Sequence, residues 1–354
     1  MPKRQLPLIT ALLFSAVLFG CATPHYQPPK PAPTLQASET EQQQLQAMQH
    51  LLAQQQRLSR VAWPLMSRNT AFCDGNTKPI IGLQYANSHS FDEKQRDTAL
   101  RGLQLGEALQ VLSVTPGAPA EQSGVQAGDR LVSLNDQPLK TGQAGLTQAA
   151  QLFQSLSSDK PAKLVVYRQH QSIQLSLTPV TACDYPLTLV SSDQVNAYAD
   201  NRSIAITEGM LNFTPDDRDL ALVIAHELAH NALGHIPATA RNALLGSSID
   251  LLLISQGIPS PGLFTLGGLM SYSQAFETEA DYVSLYLLAR ADYPLEGSAD
   301  FWRRMSQSRP NHINAESSDS HPGTADRYLI MQASIDEIEQ KRRDKQPLRP
   351  QTKF

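Results

Sequence analysis

The segment Leu220-Ala-Leu-Val-Ile-Ala-His226-Glu227-Leu-Ala-His230 restricts the fold more than any other stretch of this chain. Its apolar run is of helical type, and side chains four residues apart leave a helix on the same face. His226 and His230 therefore share a face, while Val223, Ile224 and Leu228 surround them with residues of core type. A charged surface helix would not carry such neighbours. The helix must run through an interior and present its imidazoles to something that compensates for their burial. Two neutral imidazoles at this spacing can share a zinc ion at about 2.0–2.1 Å each. Glu227, beside them, can act as general base toward a water that the metal acidifies.

A catalytic zinc needs a third protein ligand and one open position. Phe276-Glu277-Thr-Glu279-Ala280-Asp281 offers the ligand on a second helical pattern that runs to Leu288. Glu277 and Asp281 are four apart and share a face. One carboxylate can bind the metal while the other accepts a hydrogen bond from a ligand histidine and fixes its tautomer. Glu279 competes with Glu277 as ligand, although at i+2 it points elsewhere and cannot pair with Asp281.

Two further motifs join these. Val195-Asn196-Ala197-Tyr198-Ala199 followed by Ile204-Ala-Ile-Thr-Glu-Gly209 reads as strand, and Ser320-His321-Pro322-Gly-Thr-Ala-Asp-Arg327 follows the second helix. With all four motifs in order, residues 181–335 resemble the gluzincin zinc metallopeptidases, the family that includes BepA, HtpX and the CaaX prenyl endopeptidases. The resemblance implies an α+β fold class: a mostly helical gluzincin-type domain with a small sheet. It implies one Zn²⁺ per chain on His226, His230 and Glu277, with Asp281 supporting them and Glu227 as base. The strand before the first ligand helix, with Asn196 and Ala197, would form the edge on which an extended substrate lies. His321 would either stabilise the oxyanion or occupy the open metal position and hold the enzyme latent; Arg327 would support the substrate carbonyl or His321 itself. Membrane-embedded relatives carry several spanning helices. Here Ile249 to Met270 is apolar but broken by Gly257, Pro259, Pro261 and Gly262, and reads as a mobile insertion over the site, a surface resting on membrane or partner, or packed core.

From Pro79 to Val180 the texture changes to short strands and turns, with strands expected at Leu109–Val114, 130–134, 163–168 and 172–178 and helices at 118–124 and 146–156. The string APAEQSGVQAGDRLVSLNDQPL resembles a β-rich PDZ domain inserted near the N-terminus of the peptidase domain. Such domains add a peptide as an extra strand and catch its carboxylate on backbone N–H groups. The resemblance places Ile80, Ile81, Gly82 and Leu83 in that role.

The N-terminus reads as a leader. Lys3 and Arg4 precede an apolar stretch from Leu6 to Phe19, short for a spanning helix. It ends in Leu18-Phe19-Gly20-Cys21, which resembles a bacterial lipobox with Cys21 as the lipidated mature N-terminus. Ala22 lacks the aspartate of an inner-membrane retention signal, which points to the outer membrane. Of the three cysteines, Cys73 and Cys183 then remain for a disulfide in an oxidising periplasm. The pair flanks the PDZ-like module.

The organisation expected is thus a signal peptide at 1–20, a Pro-rich tether at 21–36, an N-terminal helical part of the peptidase domain at 37–78, a PDZ domain at 79–180, the peptidase domain at 181–335 and a charged, fraying tail at 336–354. In the helical part, Leu45, Met48, Leu52, Leu58, Ala62 and Leu65 fall on one face. A net charge of −4 leaves no basic footprint for nucleic acid. The function expected is a lipid-anchored periplasmic endopeptidase acting on misfolded or misassembled envelope proteins, its PDZ recruiting a substrate or partner peptide. The alternative is an outer-membrane assembly factor or chaperone in which zinc is mainly structural.

Overall fold

The computed structural model describes residue 26 and residues 28–239, 251, 263–308 and 325–352. Helix α1 (Pro33–Arg68) opens inside the expected tether. Proline fits the first turn of a helix, where its missing N–H has no partner to lose. Gln43 ends one unit of the chain, and the helix from Pro33 to that point is largely exposed. From Gln44 onward the chain is one unit, and there α1 turns Met48, Leu58, Val61, Ala62, Leu65 and Met66 inward.

A short 3-10 turn ends at Cys73, and β1 (Thr77–Ile80) pairs antiparallel with β8 (Val180–Cys183), Thr77 opposite Cys183. Cys73 and Cys183 are disulfide-bonded, with Cα atoms 5.8 Å apart and 110 residues between them. Ribbon and bridge together clamp the two ends of the module they enclose. Replacing both cysteines by serine is expected to lower stability by about 2–5 kcal/mol, read by chemical denaturation of the purified chain. An unchanged midpoint would show that the ribbon alone closes the module.

Between the clamps lie β2 (Leu83–Ala86), α2 (Glu93–Leu103), β3 (Gln110–Val114), α3 (Pro119–Gln122), β4 (Arg130–Leu134), the short β5 (Gln137–Pro138), α4 (Gly142–Gln154), β6 (Ala162–Arg168) and β7 (Gln171–Leu177). The main sheet runs β2-β3-β4-β6-β7, so β2 is an edge strand. Leu109, Val111, Leu131, Leu134, Leu164, Val166 and Leu177 fill its core beneath α4. Period-two alternation sends Leu164 and Val166 of β6 to one face, and the register shift between Leu131 and Ser133 lets Leu131 and Leu134 of β4 both reach the core. Asp129 is buried in this module and is held by Arg168 through Nε and Nη2 at 2.5 and 2.7 Å.

After the clamp a three-stranded sheet orders β10 (Ala197–Ala199), β11 (Ile204–Thr207) and β9 (Leu187–Val190), with β10 antiparallel to β11 and β9 parallel to it. Thr207 caps α5 (Glu208–Phe213), its hydroxyl accepting from the Met210 amide. Helix α6 (Asp217–Ala232) is capped by Asp216 and carries Asp217 and Asp219 in its first turn, where carboxylates favour the helix dipole. Helices α7 (Leu263–Arg290), α8 (Ser298–Ser308) and α9 (Ala325–Arg343) complete the unit. One core joins α6, α7 and α8 to the sheet, and Leu58, Val61, Ala62, Leu65 and Met66 of α1 belong to it. The fold is α+β, and a helix that precedes the β-rich module in sequence packs with the helices that follow it.

One further expectation needs correction here. The segment from 336 is not a fraying tail up to its end. Helix α9 continues to Arg343 with Ile338 fully buried, and Leu348 packs on the core. Glu337 accepts from Tyr282 at 3.1 Å and Tyr286 at 2.6 Å, and Lys341 donates to Tyr286, so the charges the sequence displays are spent on docking. The apolar stretch 249–270 falls largely outside the described residues; from Leu263 its backbone is helical and continuous with α7. Among the described residues no helix is long and apolar enough to cross a membrane.

Candidate metal centre

Helix α6 is buried almost all round, from Leu220 to Asn231, as its apolar sequence requires. This places His226, Glu227 and His230 inside the protein. Helix α7 packs along α6 and brings Glu277 and Asp281 to the same depth, both buried. The His226 and His230 Nε2 atoms lie 3.1 Å apart. Glu277 straddles them, one carboxylate oxygen 3.3 Å from His226 Nε2 and the other 3.2 Å from His230 Nε2. One ligand atom from each of the three residues falls within 4.8 Å of the others.

The chemistry of this donor set fits a cation. Asp281 Oδ1 lies 3.0 Å from His226 Nδ1 and, as a carboxylate, can only accept there. A neutral His226 that carries its hydrogen on Nδ1, on the side of Asp281, turns a bare Nε2 lone pair toward the Nε2 of His230. Two lone pairs and a carboxylate facing one point repel unless a positive charge sits between them. Glu279, the competing ligand, points away, as its i+2 position dictates, toward His235.

Asp281 is fully buried; burial alone would raise its pKa, but the charge and hydrogen bonds of Arg327 hold it below the ordinary carboxylate range. Arg327, on the first turn of α9, is itself buried and grips Asp281 with both arms, Nε to Oδ2 at 2.6 Å and Nη2 to Oδ1 at 2.8 Å. Its Nη1 lies 3.3 Å from Glu277, and its guanidinium sits 4.6 Å above the Trp302 ring. Trp302 in turn meets the His226 ring edge-on at 5.1 Å. Arg327, expected to reach substrate or His321, thus carries its described contacts to the carboxylates that hold the histidines. For His226, burial lowers the pKa, yet Asp281 and Glu277 outweigh it and raise the imidazole to about 9. A metal must therefore displace a proton, and its apparent affinity falls as pH drops.

His235 was not singled out from sequence, although a third histidine five residues after His230 was there to be noticed. Its Nδ1 lies 3.1 Å from His230 Nδ1, its Nε2 lies 3.3 Å from Glu279, and its ring stacks on Phe276 at 4.5 Å. Burial, then the neighbouring His230, pulls its pKa down to about 4, so it is neutral at pH 7. His235 is placed to accept the Nδ1 hydrogen of His230 and keep that residue's Nε2 bare. Exchange of His235 for alanine is expected to weaken metal binding about 10-fold or more, measured by competition with a chromophoric chelator. Unchanged affinity would remove His235 from the support of the centre.

The remaining expected residues are partly in place. Asn196 accepts from the Thr207 amide, and β10, which begins at Ala197, is the outer strand of its sheet. The Ala197 side chain is buried, so the strand can offer only its backbone there. Ile80, Ile81, Gly82 and Leu83 line one cavity with α4. His321 and Cys21 lie outside the described residues.

A histidine pair on one buried helix, a glutamate facing it from the next, and a second glutamate beside the first histidine have the layout of an HExxH metallopeptidase. Residues 162–333 match Peptidase family M48, and residues 110–168 match a PDZ domain. The match to peptidase family M48 covers the metal helices, and the PDZ match lies mostly N-terminal to it. The chain is 27% identical over 197 residues to "Mitochondrial metalloendopeptidase OMA1" of Schizosaccharomyces pombe, covering 53% of this chain and 57% of that protein. To the protein of the same description from Saccharomyces cerevisiae it is 30% identical over 136 residues, 36% of this chain and 39% of the other. To "Beta-barrel assembly-enhancing protease" of Yersinia pestis it is 26% identical over 141 residues, 34% and 28% of the two chains. The chain thus spans between about a quarter and three-fifths of these relatives. A crystal structure of the HtrA3 PDZ domain bound to a phage-derived ligand covers 30% of this chain and 88% of its own at 23% identity and TM-score 0.21.

Proposed function

We propose that this chain is a lipid-anchored zinc endopeptidase of the bacterial periplasm that cuts misfolded or misassembled envelope proteins. The observation that carries the reading is the convergence of His226, His230 and Glu277 on one buried point, with Glu227 next in sequence to His226. Zinc, held by those three residues, supplies Lewis acidity that polarises a scissile carbonyl and acidifies an attacking water. The chain's own residues do the remainder. Glu227 takes the proton of the attacking water and delivers it to the leaving nitrogen. Asp281 fixes the tautomer of His226, His235 that of His230, and Arg327 keeps Asp281 ionised. The outer edge of β10 lays out the substrate backbone, and the PDZ domain recruits a peptide end. His321→Ala separates the two roles the resemblance gives His321: a slower enzyme marks an oxyanion donor, a faster one a latch.

The compartment is read from the leader that ends at Cys21 and from the Cys73–Cys183 bridge, which persists where conditions are oxidising. Ala22 after Cys21 favours the outer membrane, and the description of the Yersinia pestis relative is in keeping with envelope substrates. The test is digestion of an unfolded protein by the purified chain with every new terminus mapped. Internal cuts are the expected result. Ladders from one end would make the enzyme an exopeptidase, and rescue of an envelope defect by Glu227→Gln as complete as by wild type would favour the assembly-factor reading.

A further inference from the structure

The PDZ domain does not own the whole of its peptide groove. A cavity of about 640 Å³ opens along β2, the edge strand of the PDZ sheet, between α4 on one side and α1 on the other. On the α4 side it is lined by Ala150, Phe153 and Leu156. On the other side stand Ser59, Ala62 and Trp63, which at i, i+3 and i+4 share one face of α1. Its closed end is the loop of Ile81 and Gly82, whose carbonyls accept from Ala120 and Thr115 and so turn into the domain. A Cβ at Gly82 would lie 2.2 Å from that of Ala118, so only glycine lets the loop lie this close. Lys78 and Asp184, ion-paired with each other, both line the same cavity.

Side chains along β2 alternate between the two walls. Leu83 and Tyr85 face the PDZ core, and the Tyr85 ring meets Phe153 at 5.2 Å. Gln84 faces the other way and donates to the Ser59 hydroxyl of α1 at 2.9 Å. A peptide that adds to the free edge of β2 must alternate in the same manner, because successive residues of a strand point to opposite faces. We infer that the groove is a composite site: an extended peptide with an apolar C-terminal residue places that residue against Phe153 and Leu156, and its penultimate residue against Ser59, Ala62 and Trp63 of α1. The last residue enters the apolar wall because the closed end adjoins Ile81, a core residue of the PDZ domain. The same helix sends Leu58, Val61 and Leu65 into the core that holds α6, so a bound peptide ties the PDZ sheet to the peptidase body. Ligand selection is thereby shared between two domains.

This inference rests on the PDZ domain's binding a peptide end, and the experiment separates the two. The full chain, carrying Glu227→Gln so that the probe is not cut, is titrated with a fluorescent heptapeptide ending in free valine with leucine before it. Wild-type α1 is compared with Trp63→Ala, with the milder Trp63→Phe, and with Ser59→Arg; melting temperatures identify variants that have lost their fold. Trp63→Ala is expected to weaken binding about tenfold, a loss of about 1.4 kcal/mol. The loss should shrink when the penultimate leucine is replaced by alanine, and should stay the same when the residue two before the end is replaced. If every folded α1 variant binds within about twofold of the parent, α1 is no part of the site and the inference falls while the PDZ reading stands. If the parent binds neither the free nor the amidated peptide, both fall.

Discussion

Exchange of Glu227 for glutamine is expected to lower the rate of peptide hydrolysis by about 10²–10⁴-fold while zinc content stays at the wild-type level. The amide keeps the size of the carboxylate but cannot take a proton from water. Glu227 is buried on α6 between His226 and Leu228, so the substitution changes a function without opening a cavity. Steady-state cleavage of an unfolded protein and metal analysis of the same preparations measure the two quantities. A variant that loses zinc along with activity would place Glu227 among the ligands rather than beside them.

The second large effect concerns Arg327. Its guanidinium faces the buried carboxylate of Asp281 and holds it through two hydrogen bonds. Arg327→Met fills much of the same space, but leaves Asp281 without that partner. Breaking one side of a buried pair costs about 3–5 kcal/mol, since the remaining charge stays buried. The sign with pH follows from Asp281. Its pKa in the folded protein lies below the usual value, so the pair contributes stability above the unfolded-state pKa and loses it as pH falls through the folded one. Without Arg327 the carboxyl takes up a proton more readily. The stability gap between wild type and variant should thus be widest near neutral pH and narrow toward acid. Urea melts across that range measure it, and a gap independent of pH would assign the loss to packing against Trp302 instead.

How much of this was legible in the sequence depends on how local the cause is. The α6 helix and its histidine pair were legible because a single run of residues fixes both the helix and its burial. Glu277 and Asp281 were legible because a four-residue spacing fixes their common face. Most PDZ strands announced themselves by alternation, and α1 by its apolar face. Helix α2 did not: Glu93-Lys-Gln-Arg-Asp-Thr-Ala-Leu-Arg-Gly-Leu has no apolar stripe and buries only Thr98 and Ala99, so its cap at Asp92 was the sole signal. The start of α1 at Pro33 was hidden because proline reads equally as tether and as first turn. The docked end of the chain was hidden because its charges pair with Tyr282 and Tyr286, 55 and 51 residues upstream of Glu337. Arg327 and His235 belong to the same class: their partners sit on other helices, and only packing brings them together.

One catalytic zinc per chain on His226, His230 and Glu277 is what the proposed chemistry requires. Its most direct test is zinc stoichiometry and peptide cleavage measured together on wild type, His226→Ala and Glu277→Ala, before and after chelation. Wild type is expected to hold about one zinc and to cleave in a manner that a chelator removes and added zinc restores, and both variants to hold substoichiometric zinc and cleave nothing. Full zinc occupancy in the variants, or cleavage that survives complete chelation, would contradict it.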